Sequence, residues 1–258
     1  MRYILARANR DVLEAFACSN MLLALDFDGT LAPIVPDPAR AALRGETRRL
    51  LRRVTRERPC VVISGRARSD VRRRLVGTGV AEVIGNHGLE PGPLTAAARR
   101  VVEGWIGELR RGLGGLAGVA IEDKGLSLAV HYRGALRPAR ARARVLGAAA
   151  ALRGARLIGG KRVVNLLPAG AANKGRALEE VRARFRCDTA LYIGDDETDE
   201  DVFVLDQPGR LLSIRVGRHR ASAARYFIRQ QREIDGVLRV LLASPARVSG
   251  RFGAVGSR

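Results

Sequence analysis

The sequence predicts an α/β protein in which an inserted α/β cap interrupts a parallel-sheet core. Short apolar runs alternate with amphipathic segments up to residue 91, and the same alternation resumes after residue 173. Between them the pattern changes to helix, strand, strand, helix, strand, strand. We therefore predict a core in two parts, 1–91 and 173–246, a cap at 92–172, and a flexible tail at 247–258.

The core elements follow one another as a Rossmann-like parallel sheet requires. Each predicted strand is a short apolar run, and each predicted helix has apolar residues on one face and arginines on the other. The first part is predicted as strand 21–25, helix 46–56, strand 60–63, helix 69–76 and strand 82–84. The second part is predicted as a helix from Lys174, strand 190–193, a helix after Asp199, strand 211–216 and a long C-terminal helix.

The cap reads as a compact two-layer unit of its own. Its predicted elements are helix 94–111, strands 118–122 and 126–132, helix 137–152, and strands 156–158 and 162–167. Gly85 and Gly88 lie just before it and could supply a hinge, so that closure of the cap would exclude water from a site beneath it.

Two carboxylates follow the first predicted strand. Asp26 and Asp28 come directly after the apolar run 21–25, and Gly29 continues into a tight loop. Because side chains alternate along a strand, both carboxylates can face one side while Phe27 points away. Paired carboxylates repel each other and lose solvation, which a divalent cation relieves, so the pattern favours phosphoryl transfer. Aspartates that cap a turn are the structural alternative.

A second acidic cluster ends the strand predicted at 190–193. Its members are Asp195, Asp196, Glu197, Asp199, Glu200 and Asp201. The cluster stands out in a chain with 46 Lys+Arg against 26 Asp+Glu. The carboxyl ends of parallel strands meet at one edge, so we expect Asp26 and Asp195 to converge there. An acidic first turn of a helix is the alternative, and it is compatible with metal binding by Asp195.

Lysine is rare in this chain. Of the 46 basic residues only Lys124, Lys161 and Lys174 are lysines, which indicates that these positions need a compact ammonium group rather than a guanidinium. Lys174 precedes Gly175 at a predicted helix start, where backbone amides also favour anions. Retention by chance is the alternative for each lysine.

Together these motifs resemble those of the haloacid dehalogenase-type phosphatases, and within them the trehalose-6-phosphate phosphatases. Four core motifs stand in the family's order: Asp-Phe-Asp-Gly-Thr-Leu at 26–31, Ile-Ser-Gly-Arg at 63–66, Asn-Lys-Gly at 173–175, and the acidic cluster at 194–203. Segments 85–90 and 122–133 are closer to the trehalose-phosphate branch than to the wider superfamily. The resemblance covers most of the chain and implies a haloacid dehalogenase-like core with an inserted cap.

The resemblance implies a Mg²⁺-dependent phosphatase that hydrolyses trehalose 6-phosphate through an aspartyl-phosphate. Asp26 would be the nucleophile, and Asp28 the general acid and then the general base. Ser64, Gly65 and Lys174 would bind the phosphoryl group. The implied metal site draws on Asp26, Asp28 through its backbone carbonyl, Asp195, Asp196 and Asp199.

Residues of the cap and of its junction with the core are the candidates for sugar binding. They are Arg66, Asn86, His87, Glu122, Lys124, His131, Lys161 and Asn165. Carboxylate, ammonium and amide groups presented together suit sugar hydroxyls. Solvent-facing strand residues are the general alternative, and His131 could equally be a hydrogen-bonded packing residue.

The chain departs from the family pattern at two cap positions. Where the family reads approximately Val-x-Glu-x-Arg-Pro, residues 164–168 read Val-Asn-Leu-Leu-Pro, so Asn165 replaces an acid and Leu167 an arginine. The family's acid is expected to contact sugar hydroxyls, which leaves the exact sugar open. The phosphate of a related disaccharide, pseudodisaccharide or glycosyl-polyol is the alternative substrate.

The length and composition of the chain limit which other classes of protein it can belong to. At 258 residues and 47% hydrophobic the chain can bury a large core, and no run of about 18 apolar residues predicts a membrane span. Charges interrupt the first residues, so we expect no secretory signal. Cys18, Cys60 and Cys187 lack metal-binding spacing and are interpreted as reduced thiols of a cytoplasmic protein.

The net charge of +20 raises a rival interpretation, a non-enzymatic Arg-rich protein that binds nucleic acid. Aromatic residues make up only 4%, and many arginines recur at helical spacing beside apolar residues, which is typical of a solvated helix face. We therefore expect a small-molecule sugar phosphate as partner, with no specific nucleic acid, no membrane and no obligate protein partner.

Overall fold

The computed structural model describes residues 1–92, 96–160, 162–170 and 172–244, and of residues 96 and 97 the backbone alone. The predicted tail at 247–258 and Lys161 therefore lie outside the described residues. No helix in the described ranges is long and apolar enough to cross a membrane.

Strands and helices alternate along most of the chain. In chain order the strands are β1 (Arg2–Tyr3), β2 (Met21–Leu25), β3 (Cys60–Ile63), β4 (Glu82–Ile84), β5 (Ala120–Asp123), β6 (Leu128–His131), β7 (Ala155–Gly160), β8 (Val163–Pro168), β9 (Thr189–Gly194), β10 (Leu211–Val216) and β11 (Tyr226–Ile228). The α-helices are α1 (Arg10–Ala17), α2 (Gly45–Glu57), α3 (Arg68–Arg74), α4 (Ala96–Leu113), α5 (Pro138–Ala150), α6 (Lys174–Arg184), α7 (Glu200–Phe203) and α8 (Ile234–Ala243).

Seven strands form a parallel sheet in the order β1-β11-β10-β9-β2-β3-β4. Strand β2 is central: its last residue, Leu25, pairs with Ile193 of β9 on one side and Val62 of β3 on the other. The carboxyl ends of these three strands therefore open at the same edge, where ligands of open α/β sheets bind.

Helices cover both faces of the parallel sheet. Side chains of β2 alternate, so that Leu23 and Leu25 pack with α1, α2 and α8, whereas Leu22 and Ala24 pack with α6 and α7. All five residues of β2 are buried. This explains why the strand is an unbroken apolar run, since a parallel strand has no face toward water.

Four further strands form a separate antiparallel sheet in the order β5-β6-β8-β7. One face, which includes Leu128, Val130 and Val164, packs against α4 and α5. The alternating positions, among them His131 and Asn165, point to the other face, toward the carboxyl edge of the parallel sheet. The predicted fold class, a parallel-sheet core with an inserted α/β cap, is confirmed, and the exact domain boundaries stay predictions.

Three elements were not predicted: β1, α1 and β11. Strands β1 and β11 have two and three residues, and α1 has eight. The predicted C-terminal helix is present as α8, although with ten residues it is shorter than predicted. The other predicted elements are present, with ends displaced by a residue or two, the usual uncertainty of helix and strand ends.

Arg58 links the end of α2 to the ends of α1 and α8 through hydrogen bonds. Its guanidinium is buried and donates hydrogen bonds to the carbonyl oxygens of Ala17, Leu241 and Ser244, at the ends of α1 and α8. Carbonyls at helix ends lack partners within the helix, so this side chain satisfies them. We expect Arg58→Leu to lower the free energy of unfolding by about 3 kcal/mol, because buried carbonyls would lose charged donors. Urea unfolding measures the change.

Arg56 provides the matched control for that substitution. It lies on the exposed face of α2, two residues away. Arg56→Ala should change the unfolding free energy by no more than about 0.5 kcal/mol. An equal cost for both substitutions would contradict the role assigned to Arg58.

Candidate active site

A cavity lies between the carboxyl edge of the parallel sheet and the open face of the cap sheet. Most of the site residues predicted from the sequence line it: Asp26, Asp28, Ser64, Gly65, Arg66, His87, Glu122, Lys124, His131, Asn165, Lys174, Asp195 and Asp196. The fold thus brings together groups from both sheets that are far apart in sequence.

Asn86 and Asp199 are buried and do not line the cavity. The Asn86 amide donates to the carbonyl of Lys124 at 3.0 Å and accepts from the Ser127 hydroxyl at 2.8 Å. Asn86 therefore fastens the core to the β5–β6 hairpin of the cap. Lys161, the remaining predicted residue, falls outside the described residues.

Asp26 directly follows β2, and its backbone amide continues the sheet by bonding to Ile193 of β9. The chain then turns sharply at Gly29, whose φ is +79°. A side chain at Gly29 would collide with the Asp195 carboxylate as well as strain the backbone. Glycine at this position therefore lets the loops after β2 and β9 approach each other.

Lys174, the first residue of α6, lies beneath this pair of loops. Its ammonium donates to Asp26 Oδ1 at 2.9 Å and to Asp199 Oδ1 at 2.6 Å, and all three side chains are almost fully buried. Burial lowers the pKa of Lys174, but the two carboxylates outweigh that effect and raise the pKa above its ordinary value. Lys174 is therefore a fixed positive charge at the base of the site.

The Asp199 carboxylate accepts four hydrogen bonds. Oδ1 accepts from Lys174 and from the Tyr192 hydroxyl, and Oδ2 accepts from the backbone amides of Asp195 and Asp196. Burial raises the pKa of Tyr192 well above its ordinary value, and Asp199 adds to the shift, so the hydroxyl keeps its proton. Asp199 thus sets the conformation of the acidic loop from beneath.

Three buried carboxylates can approach one cation. Oxygens of Asp26, Asp195 and Asp199 lie within 4.8 Å of one another. Burial raises the pKa of Asp26 well above its ordinary value; Lys174 opposes the shift, while Asp199 and Asp195 reinforce it. A divalent cation would relieve this crowding of like charges, so the oxygen-rich site fits a metal such as Mg²⁺. Because Asp26 and Asp195 line the cavity and Asp199 does not, Asp26 and Asp195 are the stronger candidates for direct ligands.

Ser64 and Gly65 follow β3 and form the next part of the cavity wall. The Ser64 hydroxyl accepts from the Arg66 amide at 3.2 Å, and the Gly65 carbonyl accepts from the Lys124 ammonium at 3.1 Å. Gly65 packs so closely on the His87 ring that a side chain there would collide with it. Burial lowers the pKa of His87 well below its ordinary value, with help from Lys124, so the imidazole is neutral.

The Asp28 side chain contacts Arg66, which follows β3. The guanidinium holds the carboxylate in a bidentate pair, with Nε to Oδ2 at 2.6 Å and Nη2 to Oδ1 at 2.8 Å. Asp28 therefore lies outside the buried group of carboxylates, as does Asp196, whose side chain caps the turn at Asp199. Two of the predicted metal residues are thus engaged in other contacts through their side chains.

The cap contributes a polar wall. His131 Nε2 and Glu122 Oε2 lie 2.8 Å apart, and this hydrogen bond lowers the pKa of Glu122. Asn165, on β8, also lines the cavity. Leu167, the other departure from the family pattern, is buried and does not reach the cavity. Of the two positions that depart from the family pattern, Asn165 is therefore the one that can contact a ligand in the cavity.

Several lining residues were not predicted from the sequence. They are Ile34, Val35, Pro38, Arg133, Val163 and Thr198. Arg133 donates to the Pro36 carbonyl at 3.1 Å, so the cap holds the loop at the mouth of the cavity. The sequence contained one indication of this role, because Arg133 lies only two residues after His131, which was predicted to bind the sugar. Tyr192 was also missed, although a tyrosine in a buried apolar strand needs a partner for its hydroxyl.

Known proteins resemble this chain in sequence and in fold. A trehalose-phosphate phosphatase of Mycolicibacterium paratuberculosis is 37% identical over 198 residues, which cover 69% of this chain and 49% of that protein. The chain thus spans about half the length of the curated relatives it matches. The C-terminal domain of a C. albicans trehalose-6-phosphate phosphatase superposes with a TM-score of 0.76 at 22% identity, covering 92% of this chain and 97% of that one.

A further solved structure shares the fold. A haloacid dehalogenase-like hydrolase from B. subtilis superposes with a TM-score of 0.57 at 15% identity and covers 85% of this chain and 98% of that one. This confirms the predicted haloacid dehalogenase-like core. The sequence model of the Trehalose-phosphatase family matches residues 24–230, a range that begins in β2 and includes both acidic loops and the cap sheet. The chain therefore belongs to the trehalose-phosphatase family.

Proposed function

We propose that this protein is a Mg²⁺-dependent phosphatase that hydrolyses trehalose 6-phosphate to trehalose and phosphate. The observation that carries the proposal is the position of Asp26, a buried carboxylate at the carboxyl end of β2, held by Lys174 and facing a cavity that a polar cap wall covers. Family membership and the names of the curated relatives support the same substrate.

In the first step an Asp26 carboxylate oxygen attacks the phosphorus in line. The bond between phosphorus and the sugar oxygen breaks, and its electron pair stays on that oxygen. Asp28 gives the oxygen a proton, so the sugar leaves as an alcohol and Asp26 carries an aspartyl-phosphate. Lys174 offsets the charge of Asp26 throughout, and Ser64 and the Gly65 amide, which line the cavity, would bind phosphoryl oxygens.

In the second step water attacks the phosphorus of the aspartyl-phosphate. The Asp28 carboxylate takes a proton from that water as the bond between phosphorus and Asp26 breaks. Inorganic phosphate leaves and Asp26 is restored. The proton that Asp28 gains replaces the one it gave to the sugar, so the cycle balances.

Asp26 and Asp195 would hold the Mg²⁺ ion directly, with the Asp28 carbonyl completing the set drawn from these loops. When bound, the ion neutralises charge on the nucleophile and on the transferring group. Asp199 and Tyr192 would keep Asp195 in place from below.

The cap wall and the residues beside it would bind the sugar. Glu122 and His131 form a pair that can accept hydrogen bonds from hydroxyls and donate hydrogen bonds to them, and Lys124 adds a half-buried ammonium. Neutral His87 presents a polar ring to the cavity. Asn165 can both donate and accept, unlike the acid it replaces, which is why related glycosyl phosphates belong in the substrate test.

We also propose a cytoplasmic location. Cys60 and Cys187 are buried free thiols and Cys18 is a half-buried one. Burial raises the pKa of Cys187 to about 11, so it stays a protonated thiol. Reduced cysteines of this kind are usual in cytoplasmic proteins.

A panel of phosphate esters tests the proposed function. With Mg²⁺, we expect kcat/KM for trehalose 6-phosphate to exceed that for glucose 6-phosphate by at least about 100-fold, because only the disaccharide reaches the cap wall. EDTA should suppress release, and added Mg²⁺ should restore it. Phosphate release measured with other disaccharide, pseudodisaccharide and glycosyl-polyol phosphates completes the panel.

The panel separates the alternatives. Preference for another glycosyl phosphate would mean that Asn165 has changed the sugar that the cap binds. The proposed phosphatase chemistry would still hold. If no phosphate is released from any of the esters with Mg²⁺ present, the proposal is overturned and the non-enzymatic Arg-rich protein becomes the better interpretation.

A further inference from the structure

Asp28 depends on a single neighbour for its orientation. Arg66 donates two hydrogen bonds to the carboxylate, and no other described residue donates to it. The Asp28 side chain is 41% exposed, whereas that of Arg66 is only 15% exposed. The better fixed member of the pair is therefore the guanidinium.

Arg66 in turn is held from behind. Its Nη1 donates to Asp70 Oδ2 at 3.0 Å, and its Nη2 donates to the Pro38 carbonyl at 2.9 Å. The guanidinium also lies over the Phe27 ring, 5.6 Å from the centroid. These contacts leave Nε and Nη2 pointing at Asp28, as a bidentate pair requires.

Asp70 lies in the first turn of α3 and does not line the cavity. Besides Arg66, its carboxylate accepts from Arg74 at 3.0 Å and from Arg73 at 3.1 Å. Arg74 also donates to the carbonyls of Ala39 and Ala41, in the loop that holds Pro38. Asp70 thus fixes both the guanidinium of Arg66 and the loop against which it rests.

We propose that Asp70 is a positioning residue that acts through Arg66 to place the Asp28 carboxyl group at the leaving oxygen of the substrate. The inference rests on the proposed function, since it takes Asp28 as the proton donor. It also changes the role of Arg66, which was predicted from the family resemblance to bind substrate and is instead assigned to orient Asp28.

The leaving group provides a specific readout. A sugar alkoxide leaves poorly without a proton, whereas p-nitrophenolate leaves without one, so only the sugar ester needs a well-placed Asp28 in the first step, while both esters share the attack of water in the second. Asp70→Asn should lower kcat and the single-turnover rate of sugar release for the preferred sugar phosphate by about 10-fold to 100-fold, with KM changed less than about threefold. With p-nitrophenyl phosphate the rate of the first step, measured as the initial burst of p-nitrophenolate, should fall less than about twofold.

Two further variants serve as a positive and a negative control for Asp70→Asn. Arg66→Lys keeps the charge but loses the bidentate pair, and it should show the same leaving-group dependence more strongly. Arg73→Ala removes another partner of Asp70, one whose side chain is 71% exposed, and should leave both rates unchanged. Urea unfolding of each variant, run alongside, measures any loss of stability.

Equal losses of the first-step rate on both esters would overturn the positioning role, because damage to the fold affects both reactions. So would a rise in KM without a fall in kcat, which would return Arg66 to substrate binding. A wild-type protein inactive on every ester would overturn the proposed function itself, and the inference with it.

Discussion

Replacing Asp26 with asparagine should lower phosphate release by about 10⁴-fold or more, the loss expected when a catalytic nucleophile is removed. The amide has nearly the same shape but cannot form the acyl phosphate. Steady-state kcat on the preferred ester measures the loss. Rapid quenching with labelled substrate should place a phosphoryl group on the wild-type protein, in the peptide that contains Asp26, and none on the variant.

The same substitution should leave the fold at least as stable as before. Burial raises the pKa of Asp26, so its ionised form costs free energy in the folded protein that a neutral amide does not. The urea midpoint in EDTA should therefore equal or exceed that of the wild type. Asp11→Asn, on the exposed side of α1, should change neither activity nor midpoint. Wild-type rates in the Asp26 variant would exclude Asp26 as the nucleophile and support the non-enzymatic rival.

The convergence of the two acidic loops could be predicted because it follows from sheet geometry. Short apolar runs before Asp26 and Asp195 indicate parallel strands, and parallel strands deliver their carboxyl ends to one edge. The structure adds that β2 and β9 are direct neighbours. The rarity of lysine was also informative, since Lys174 lies between Asp26 and Asp199.

Contacts between distant side chains could not be predicted in the same way. The sequence shows Asp28, Arg66 and Asp70, but not that one guanidinium joins both carboxylates. The different structural roles of Asp196 and Asp199 could not be predicted from the sequence either. Both belong to one acidic run, and only the turn after β9 buries Asp199 and leaves Asp196 half-exposed. Family motifs identify which residues matter, whereas the fold decides which of them meet.

Replacing Lys174 with methionine should lower the free energy of unfolding by about 3–5 kcal/mol, the cost of leaving a buried charge without its partner. Methionine fills a similar volume, so the loss reflects charge rather than a cavity. Asp26 and Asp199 would then lie buried with no ammonium between them. Phosphate release should fall by about 100-fold or more, because the charge of the nucleophile would no longer be offset. Urea unfolding and kcat measure the two effects.

Magnesium should partly restore the stability of this variant. A divalent cation held by Asp26 and Asp195 supplies the positive charge that Lys174 no longer provides, so adding Mg²⁺ should raise the urea midpoint of Lys174→Met more than that of the wild type. Lys124→Met is the matched control for stability: its ammonium bonds to the Gly65 carbonyl rather than to buried carboxylates, so it should cost only about 1 kcal/mol. Equal costs for the two lysines, or an equal Mg²⁺ response in Lys174→Met and the wild type, would show that the carboxylates do not depend on Lys174 for their charge balance.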